Sequence, residues 1–132
     1  MTTQQKKRVP QVLIVDDEPE IRIVLKEVIG LLGYSILEAS KATEALEQIE
    51  KHHIDLILLD ILLQGASGLD ILKVMRRRHL QIPIIIISGY VTQDLASEAA
   101  NLGVKHIVAK PFTPTRIAQE IRKIIPQSPI AT

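Results

Sequence analysis

Ile54-Asp55-Leu56-Ile57-Leu58-Leu59-Asp60 is a nearly continuous apolar stretch that ends on a carboxylate. A short run of this kind predicts a strand that is buried on both faces, as strands of parallel sheets are. An ionised carboxylate beside a dry core is unfavourable unless a cation or hydrogen bonds hold it. A single Asp in this place would most often cap the following turn, so the other strands must decide whether Asp60 has a functional role.

Three further apolar runs end on polar residues in the same way. Residues 12–15 lead into Asp16 and Asp17, residues 84–87 into Ser88, and residues 104–109 into Lys110. Because parallel strands present their carboxyl ends at one edge of a sheet, we expect these side chains to meet there. Four strands that end on chemically useful groups favour a site over a set of unrelated turn caps.

Five strands alternating with five helices are predicted along the chain. A fifth apolar run covers residues 34–39, and the segments between the runs carry apolar residues at helical spacing. Four of the expected helix starts are marked by prolines or capping residues, namely Pro19, Ser40, Thr92 and Thr113. This alternation predicts an α/β fold with a parallel sheet wrapped by helices on both faces.

Composition limits the possible functions. The chain has 132 residues, 46% hydrophobic and 2% aromatic, which suits one domain with an aliphatic core. A net charge of +1 predicts no bulk attraction to nucleic acid or to an anionic membrane. No cysteine is present for a disulfide or a thiolate site, and no run has the length of a membrane span or of a signal-peptide core. We therefore expect a cytoplasmic protein with a polar arm at residues 1–10, a folded domain at 11–126 and a tail at 127–132.

The residue types at the predicted edge indicate a magnesium-dependent phosphoryl chemistry. Carboxylates brought together repel by roughly 4 kcal/mol per pair at about 4 Å, so Asp16, Asp17 and Asp60 predict a bound divalent cation. Ligands that are all oxygen favour Mg²⁺. Lys110 can neutralise a phosphoryl oxygen, and the Ser88 hydroxyl can donate a hydrogen bond to it. Asp60 is the carboxylate best placed for nucleophilic attack.

The combined pattern resembles the receiver (CheY-like) domain of bacterial two-component response regulators, over residues 12–125. The features that carry the resemblance are Asp16-Asp17, the Leu-Leu-Asp sequence ending at Asp60, Gly68 eight positions later, Ser88, and Lys110-Pro111. The resemblance implies a flavodoxin-like (βα)5 three-layer sandwich with strand order 2-1-3-4-5. It also implies that Asp60 accepts a phosphoryl group from a sensor histidine kinase or a histidine phosphotransfer protein.

The resemblance implies roles for the other site residues. Asp17 and Asp60 would bind Mg²⁺ directly, Leu62 through its backbone carbonyl, and Asp16 partly through water. Ser88 would move toward the phosphoryl group, with which Lys110 would pair, and the peptide bond to Pro111 is expected to be cis.

Several positions depart from the family pattern. Gln64 occupies a position where receivers usually carry proline, so the loop after Asp60 is expected to be more mobile. Ile107 replaces the usual aromatic switch residue three positions before Lys110. Output is therefore expected through the loop from Gly89 to Thr92 or the surface of the fourth helix. Leu62 and Tyr90 are bulky residues at positions that in this family flank the path of attacking water, so the resemblance suggests a long-lived phosphoryl group.

Three functional interpretations remain open at this stage. The chain could be a complete receiver that relays a phosphoryl group or binds a downstream protein. It could be the receiver part of a longer, possibly DNA-binding, regulator with a fused output domain, divided near Pro126. A Mg²⁺-dependent phosphohydrolase with Asp60 as nucleophile is disfavoured, since such enzymes place a second acid at the position of Leu62. We expect no enzymatic turnover and no direct contact with nucleic acid or membrane.

Overall fold

A five-stranded parallel sheet forms the centre of the computed structural model, which describes residues 8–126. The strands are β1 (Gln11–Val15), β2 (Ser35–Ala39), β3 (Leu56–Asp60), β4 (Leu62–Leu63), β5 (Ala66–Ser67), β6 (Ile84–Ser88) and β7 (His106–Ala109). The sheet has the order β2-β1-β3-β6-β7, while β4 and β5 form a separate antiparallel hairpin. Without that hairpin the order is the expected 2-1-3-4-5, so the predicted fold class is confirmed.

Five helices cover the two faces of the sheet. They are α1 (Pro19–Leu31), α2 (Ala42–Lys51), α3 (Gly68–Arg77), α4 (Gln93–Asn101) and α5 (Pro114–Ile124). The buried residues of α1 and α5 pack on one face, and those of α2, α3 and α4 pack on the other. The result is the expected three-layer sandwich.

Successive residues of the central strands contribute to opposite cores. Leu13 and Ile57 pack in the core beneath α2, α3 and α4, whereas their neighbours Val12 and Leu56 pack beneath α1 and α5. This alternation follows from the two-residue period of a strand. Because both faces are covered, every residue of β3 and β6 is buried, including the polar residues at their ends.

The structure corrects several predicted boundaries. The third strand begins at Leu56 and not at Asp55, whose carboxylate accepts a hydrogen bond from the backbone N–H of Gln11 at 2.8 Å. Ser40 was expected to cap α2, but the capping position is Lys41. The N–H and hydroxyl of Ser40 both donate to the Glu44 carboxylate, at 2.8 and 3.0 Å.

Two other helix starts follow the prediction. The hydroxyl of Thr92 accepts the N–H of Leu95, and that of Thr113 accepts the N–H of Arg116, each at 3.1 Å. Such hydrogen bonds satisfy backbone donors that have no partner inside the helix. The sequence pattern therefore located the starts of α4 and α5.

A buried carboxylate joins α5 to the edge strand β7. Glu120 is 4% exposed, and its carboxylate lies 2.6 Å from Nδ1 of His106. Arg116 and Lys123, on the neighbouring turns of α5, also pair with it. Burial alone would raise the pKa of Glu120, but these hydrogen bonds lower it to about 2. The ionised carboxylate therefore holds α5 against β7.

Within residues 8–126 no helix has both the length and the apolar character that a membrane crossing needs. Residues 1–7 of the predicted arm and the predicted tail at 127–132 lie outside the described residues, and the domain boundaries at 10 and 126 stay predictions.

Candidate functional site

Four strands deliver polar residues to the carboxyl edge of the sheet. Asp16 and Asp17 follow β1, Asp60 is the last residue of β3, Ser88 ends β6, and Lys110 follows β7. The order of the sheet places β3 between β1 and β6, so Asp60 occupies the centre of this edge. The topology therefore gathers residues that are far apart in the sequence.

Three carboxylates form a compact cluster at this edge. One carboxylate oxygen from each of Asp16, Asp17 and Asp60 lies within 4.8 Å of the other two. Asp16 is 1% exposed and Asp60 is 4% exposed. Burial raises the pKa of Asp16, and burial together with the negative charge of Asp16 raises the pKa of Asp60. The ionised cluster is thus held at an electrostatic cost that a cation would relieve.

Lys110 supplies positive charge to this cluster. Its Nζ lies 3.2 Å from Oδ2 of Asp16, 3.3 Å from Oδ2 of Asp60 and 2.8 Å from Oε1 of Glu18. Burial alone would lower the pKa of Lys110, but the hydrogen bond to Glu18 and the charges of Asp16 and Asp60 raise it overall. The ammonium group of Lys110 therefore stays charged, and it lies between the buried carboxylates of Asp16 and Asp60 and the exposed carboxylate of Glu18.

Glu18 is the site residue that the sequence analysis did not single out. In the sequence Glu18 is the third acid of the run that follows β1. Its spacing gives no indication of a contact with Lys110, which lies 92 residues away.

Backbone N–H groups fix the orientation of all three clustered carboxylates. Asp60 accepts the N–H of Leu62 at 3.1 Å, and Asp16 accepts the N–H of Glu18 at 2.9 Å. Asp17 accepts the N–H of Gln64 at 2.9 Å. A proline at position 64 would have no N–H to donate. This contact ties the β4–β5 hairpin to Asp17 and opposes the mobility that the missing proline suggested.

The first residue of α3, Gly68, passes directly over the backbone of Asp60. A Cβ atom at this position would lie 2.4 Å from the Asp60 carbonyl oxygen and 3.0 Å from the Ile61 Cα. The N–H of Gly68 donates to the Ile61 carbonyl at 2.7 Å. A residue with no side chain is required here because the neighbouring atoms are all backbone.

The cluster fits a hard divalent cation. Oδ2 of Asp16 is buried and accepts no hydrogen bond from the described residues, although Lys110 lies nearby. A buried carboxylate oxygen normally has a partner, and oxygen donors are what Mg²⁺ prefers. Asp16, Asp17 and Asp60 could therefore hold the ion, with the carbonyl of Leu62 as the predicted further ligand.

Ser88 lies at the edge but does not contact the carboxylates. It is 1% exposed, and its hydroxyl accepts the N–H of Tyr90 at 3.1 Å and lies 3.3 Å from the Tyr90 carbonyl. The side chain of Tyr90 is 73% exposed, and that of Leu62 is 56% exposed. Both large side chains are thus mostly in solvent and not packed in the core.

The predicted switch residues lie beside the site. Ile107 is half-buried against the core beneath α2, α3 and α4. It lines a groove of about 450 Å³ together with Val91, Pro111 and Phe112. The peptide bond from Lys110 to Pro111 is cis, as expected. A Cβ atom added at Gly89 would meet no atom within 4 Å, so a side chain at this position would face open space.

Comparisons with known proteins identify similar chains. The family model described as "Response regulator receiver domain" matches residues 12–122. Sporulation initiation phosphotransferase F of Bacillus subtilis is 37% identical over 116 residues, which cover 88% of this chain and 94% of that protein. The alkaline phosphatase synthesis transcriptional regulatory protein PhoP of Bacillus subtilis is 31% identical, covering 92% of this chain, which spans 50% of that regulator.

Solved structures give the same result. The response regulator TrrA from Thermotoga maritima, in complex with Mg²⁺ and BeF, superposes with a TM-score of 0.77 at 31% identity. The superposition covers 88% of this chain and 99% of that one.

Proposed function

This chain belongs to the response regulator receiver domain family, and on that premise we propose that Asp60 is its phosphoacceptor. Receiver domains are the phosphoacceptor domains of two-component signal transduction, and this chain is one of them. The observation that carries the assignment to Asp60 is its position: it is buried at the centre of the carboxyl edge, beside Lys110 and within the carboxylate cluster.

The proposed step is transfer of a phosphoryl group from a phosphohistidine. An oxygen of the Asp60 carboxylate forms a bond to phosphorus as the bond between phosphorus and the imidazole nitrogen breaks; the electron pair stays on that nitrogen, and the imidazole, already protonated on its other ring nitrogen, leaves as the neutral base. The N–H of Leu62 orients the Asp60 carboxylate. Lys110, already 3.3 Å from that carboxylate, pairs with the incoming phosphoryl oxygens.

Mg²⁺ is the cofactor that we propose for this site. Asp16, Asp17 and Asp60 would hold it, with the backbone carbonyl of Leu62 completing the protein ligands. When bound, the ion neutralises charge on the transferring phosphoryl group.

We further propose that phosphorylation acts through the loop after Ser88. The Ser88 hydroxyl can donate to a phosphoryl oxygen only by leaving the carbonyl of Tyr90, and the loss of that hydrogen bond would release the loop to change conformation. Ile107 has no ring that could change its exposure. The output surface that follows is therefore the loop from Gly89 to Thr92 and the adjoining surface of α4.

The proposed partners are a sensor histidine kinase or histidine phosphotransfer protein and a downstream protein or fused output domain. These partners are proposed to act in the cytoplasm. A phosphohydrolase is not favoured, because the position two residues after Asp60 carries Leu62, which has no proton to exchange.

Intact-mass measurement after incubation with acetyl phosphate and Mg²⁺ tests the assignment. We expect one added phosphoryl group on the wild type, none in EDTA and none on Asp60→Asn. Asp70→Asn is the matched control, because Asp70 is an exposed acid in the first turn of α3 and should not affect labelling.

Two results would contradict the proposal. One is a phosphoryl adduct of equal yield on Asp60→Asn. The other is a folded wild-type protein that gains no phosphoryl group from acetyl phosphate or from a panel of phosphorylated histidine kinases.

A further inference from the structure

Glu18 is a fourth carboxylate at the site, and its place in the fold is unusual. It is the N-cap residue of α1, yet its side chain makes no capping hydrogen bond. A side chain at this position ordinarily accepts an N–H of the first helical turn. The Glu18 carboxylate instead extends to Lys110, at 2.8 Å, and its side chain is 56% exposed.

Lys110 divides its charge between two kinds of partner. The two buried carboxylates, Asp16 and Asp60, lie 3.2 and 3.3 Å from its Nζ and belong to the cluster that can hold a metal. Glu18 gives the shortest of the three contacts and does not belong to that cluster. The lysine thus has one partner that a metal ion would leave available.

A cation entering the cluster would compete with Lys110 for the same oxygens. Two positive groups cannot share Asp16 and Asp60 without repulsion, since like charges a few ångströms apart are unfavourable. Moving the ammonium fully into solvent would remove it from the position where it meets the phosphoryl group. The exposed Glu18 carboxylate offers the ammonium group a position between the metal-binding oxygens and bulk solvent.

We propose that Glu18 is the positioning residue for Lys110, holding its Nζ at the rim of the carboxylate cluster so that a divalent cation can enter. This inference rests on the proposed function. It makes Glu18 part of the metal-binding equilibrium without being a ligand. Loss of the contact leaves Lys110 on Asp16 and Asp60 and thereby weakens the binding of the ion.

The test measures Mg²⁺ dissociation constants at pH 7 from amide chemical shifts of ¹⁵N-labelled protein. We expect Glu18→Gln to weaken binding by about twofold to fivefold, the range for a partly exposed ion pair. Glu18→Asp should weaken it as well, because the shorter side chain keeps the charge but loses the reach to Lys110, and Asp is a favoured N-cap. Glu20→Gln, an exposed acid two residues along α1, should change binding less than 1.5-fold.

The same comparison in a Lys110→Met background isolates the contact. If Glu18 acts through the lysine, Glu18→Gln should change Mg²⁺ binding less than 1.5-fold when Lys110 is absent. Thermal unfolding of each variant in EDTA verifies that all of them are folded.

Each alternative outcome overturns the inference. Wild-type binding by Glu18→Asp would mean that only net charge matters. An equal loss in both backgrounds would mean that Glu18 acts on the ion directly, and unchanged or tighter binding by Glu18→Gln would exclude the role. In these three cases the wild type still gains a phosphoryl group on Asp60, so the proposed function stands. If the amide chemical shifts of the wild type show no saturable change with Mg²⁺, both this inference and the proposed function are overturned.

Discussion

Replacing Gly68 by alanine tests the close packing of the start of α3 over the backbone of Asp60. The added Cβ would lie 2.4 Å from the carbonyl oxygen of Asp60, a distance that real Cβ atoms essentially never show. The nearest atoms are backbone, so no side chain can rotate away to accommodate the methyl group. The start of α3 or the end of β3 must shift.

The expected cost follows from the size of that shift. The separation has to grow from 2.4 Å to at least 3.0 Å, at the junction of two regular elements. Overpacking of this kind costs about 1–3 kcal/mol of the free energy of unfolding. For a domain of this length that corresponds to a fall in Tm of roughly 3–12 °C. Because Asp60 lies at the displaced junction, Mg²⁺ binding should weaken too.

Urea unfolding followed by circular dichroism measures the change in free energy. Gly30→Ala is the matched control, since Gly30 lies within α1 and a Cβ there meets no atom within 4 Å. The control should be more stable than the wild type by up to about 1 kcal/mol, because glycine disfavours helix. A Gly68→Ala protein within about 0.5 kcal/mol of the wild type would refute the reasoning, as that lies below the range for overpacking.

Three further predictions concern charge and exposure. The pKa of Glu120 is lowered from 4.5 to about 2, so the ionised carboxylate stabilises the fold above pH 4.5, and this stabilisation is lost as the pH falls toward 2. In urea titrations, the difference in free energy of unfolding between the wild type and Glu120→Gln should become smaller over that pH interval. The pKa of Asp16 is raised, so its ionised form disfavours folding at neutral pH; Asp16→Asn should raise Tm in EDTA and reduce the further gain on adding MgCl₂, and a lower Tm in EDTA would contradict this. If Leu62 and Tyr90 slow attack by water, Leu62→Asn and Tyr90→Glu should each shorten the phosphoryl lifetime measured by intact mass, and unchanged lifetimes would exclude that role.

The fold could be predicted because strong local signals agreed with one another. Apolar runs such as residues 84–87 identified the buried strands, and Thr92 and Thr113 marked the helix starts that the structure contains. The β4–β5 hairpin was missed, because two-residue strands are too short to show a period. Ser40 was misassigned because it lies one position before the N-cap, Lys41; its hydroxyl donates to the Glu44 carboxylate, whereas a capping hydroxyl accepts a backbone N–H.

Most of the residues that meet at the carboxyl edge were expected there from the sequence, but the contacts between them were not. The strand-end rule identified Asp16, Asp60 and Lys110, since topology alone brings them to one edge. It could not reveal the approach of Glu18 to Lys110, which depends on the direction of one side chain at the start of α1. Nor could it show that the Ser88 hydroxyl is occupied by Tyr90, because a hydroxyl can rotate to several partners.

The complete burial of β3 and β6 has a consequence for how the chain finds its alignment during folding. In a strand with one wet face, a slip of one residue exposes apolar side chains, so polarity fixes the pairing. Here a slip would exchange one apolar layer for another, and the error would appear at the strand ends, where Asp60 or Ser88 would leave the polar carboxyl edge and face the apolar core. The polar residues Asp60 and Ser88 therefore also help to fix the alignment of β3 and β6. An apolar replacement at either position would remove the polar strand end together with the proposed phosphoryl chemistry. An amide replacement such as Asp60→Asn would remove the chemistry and keep the polar strand end.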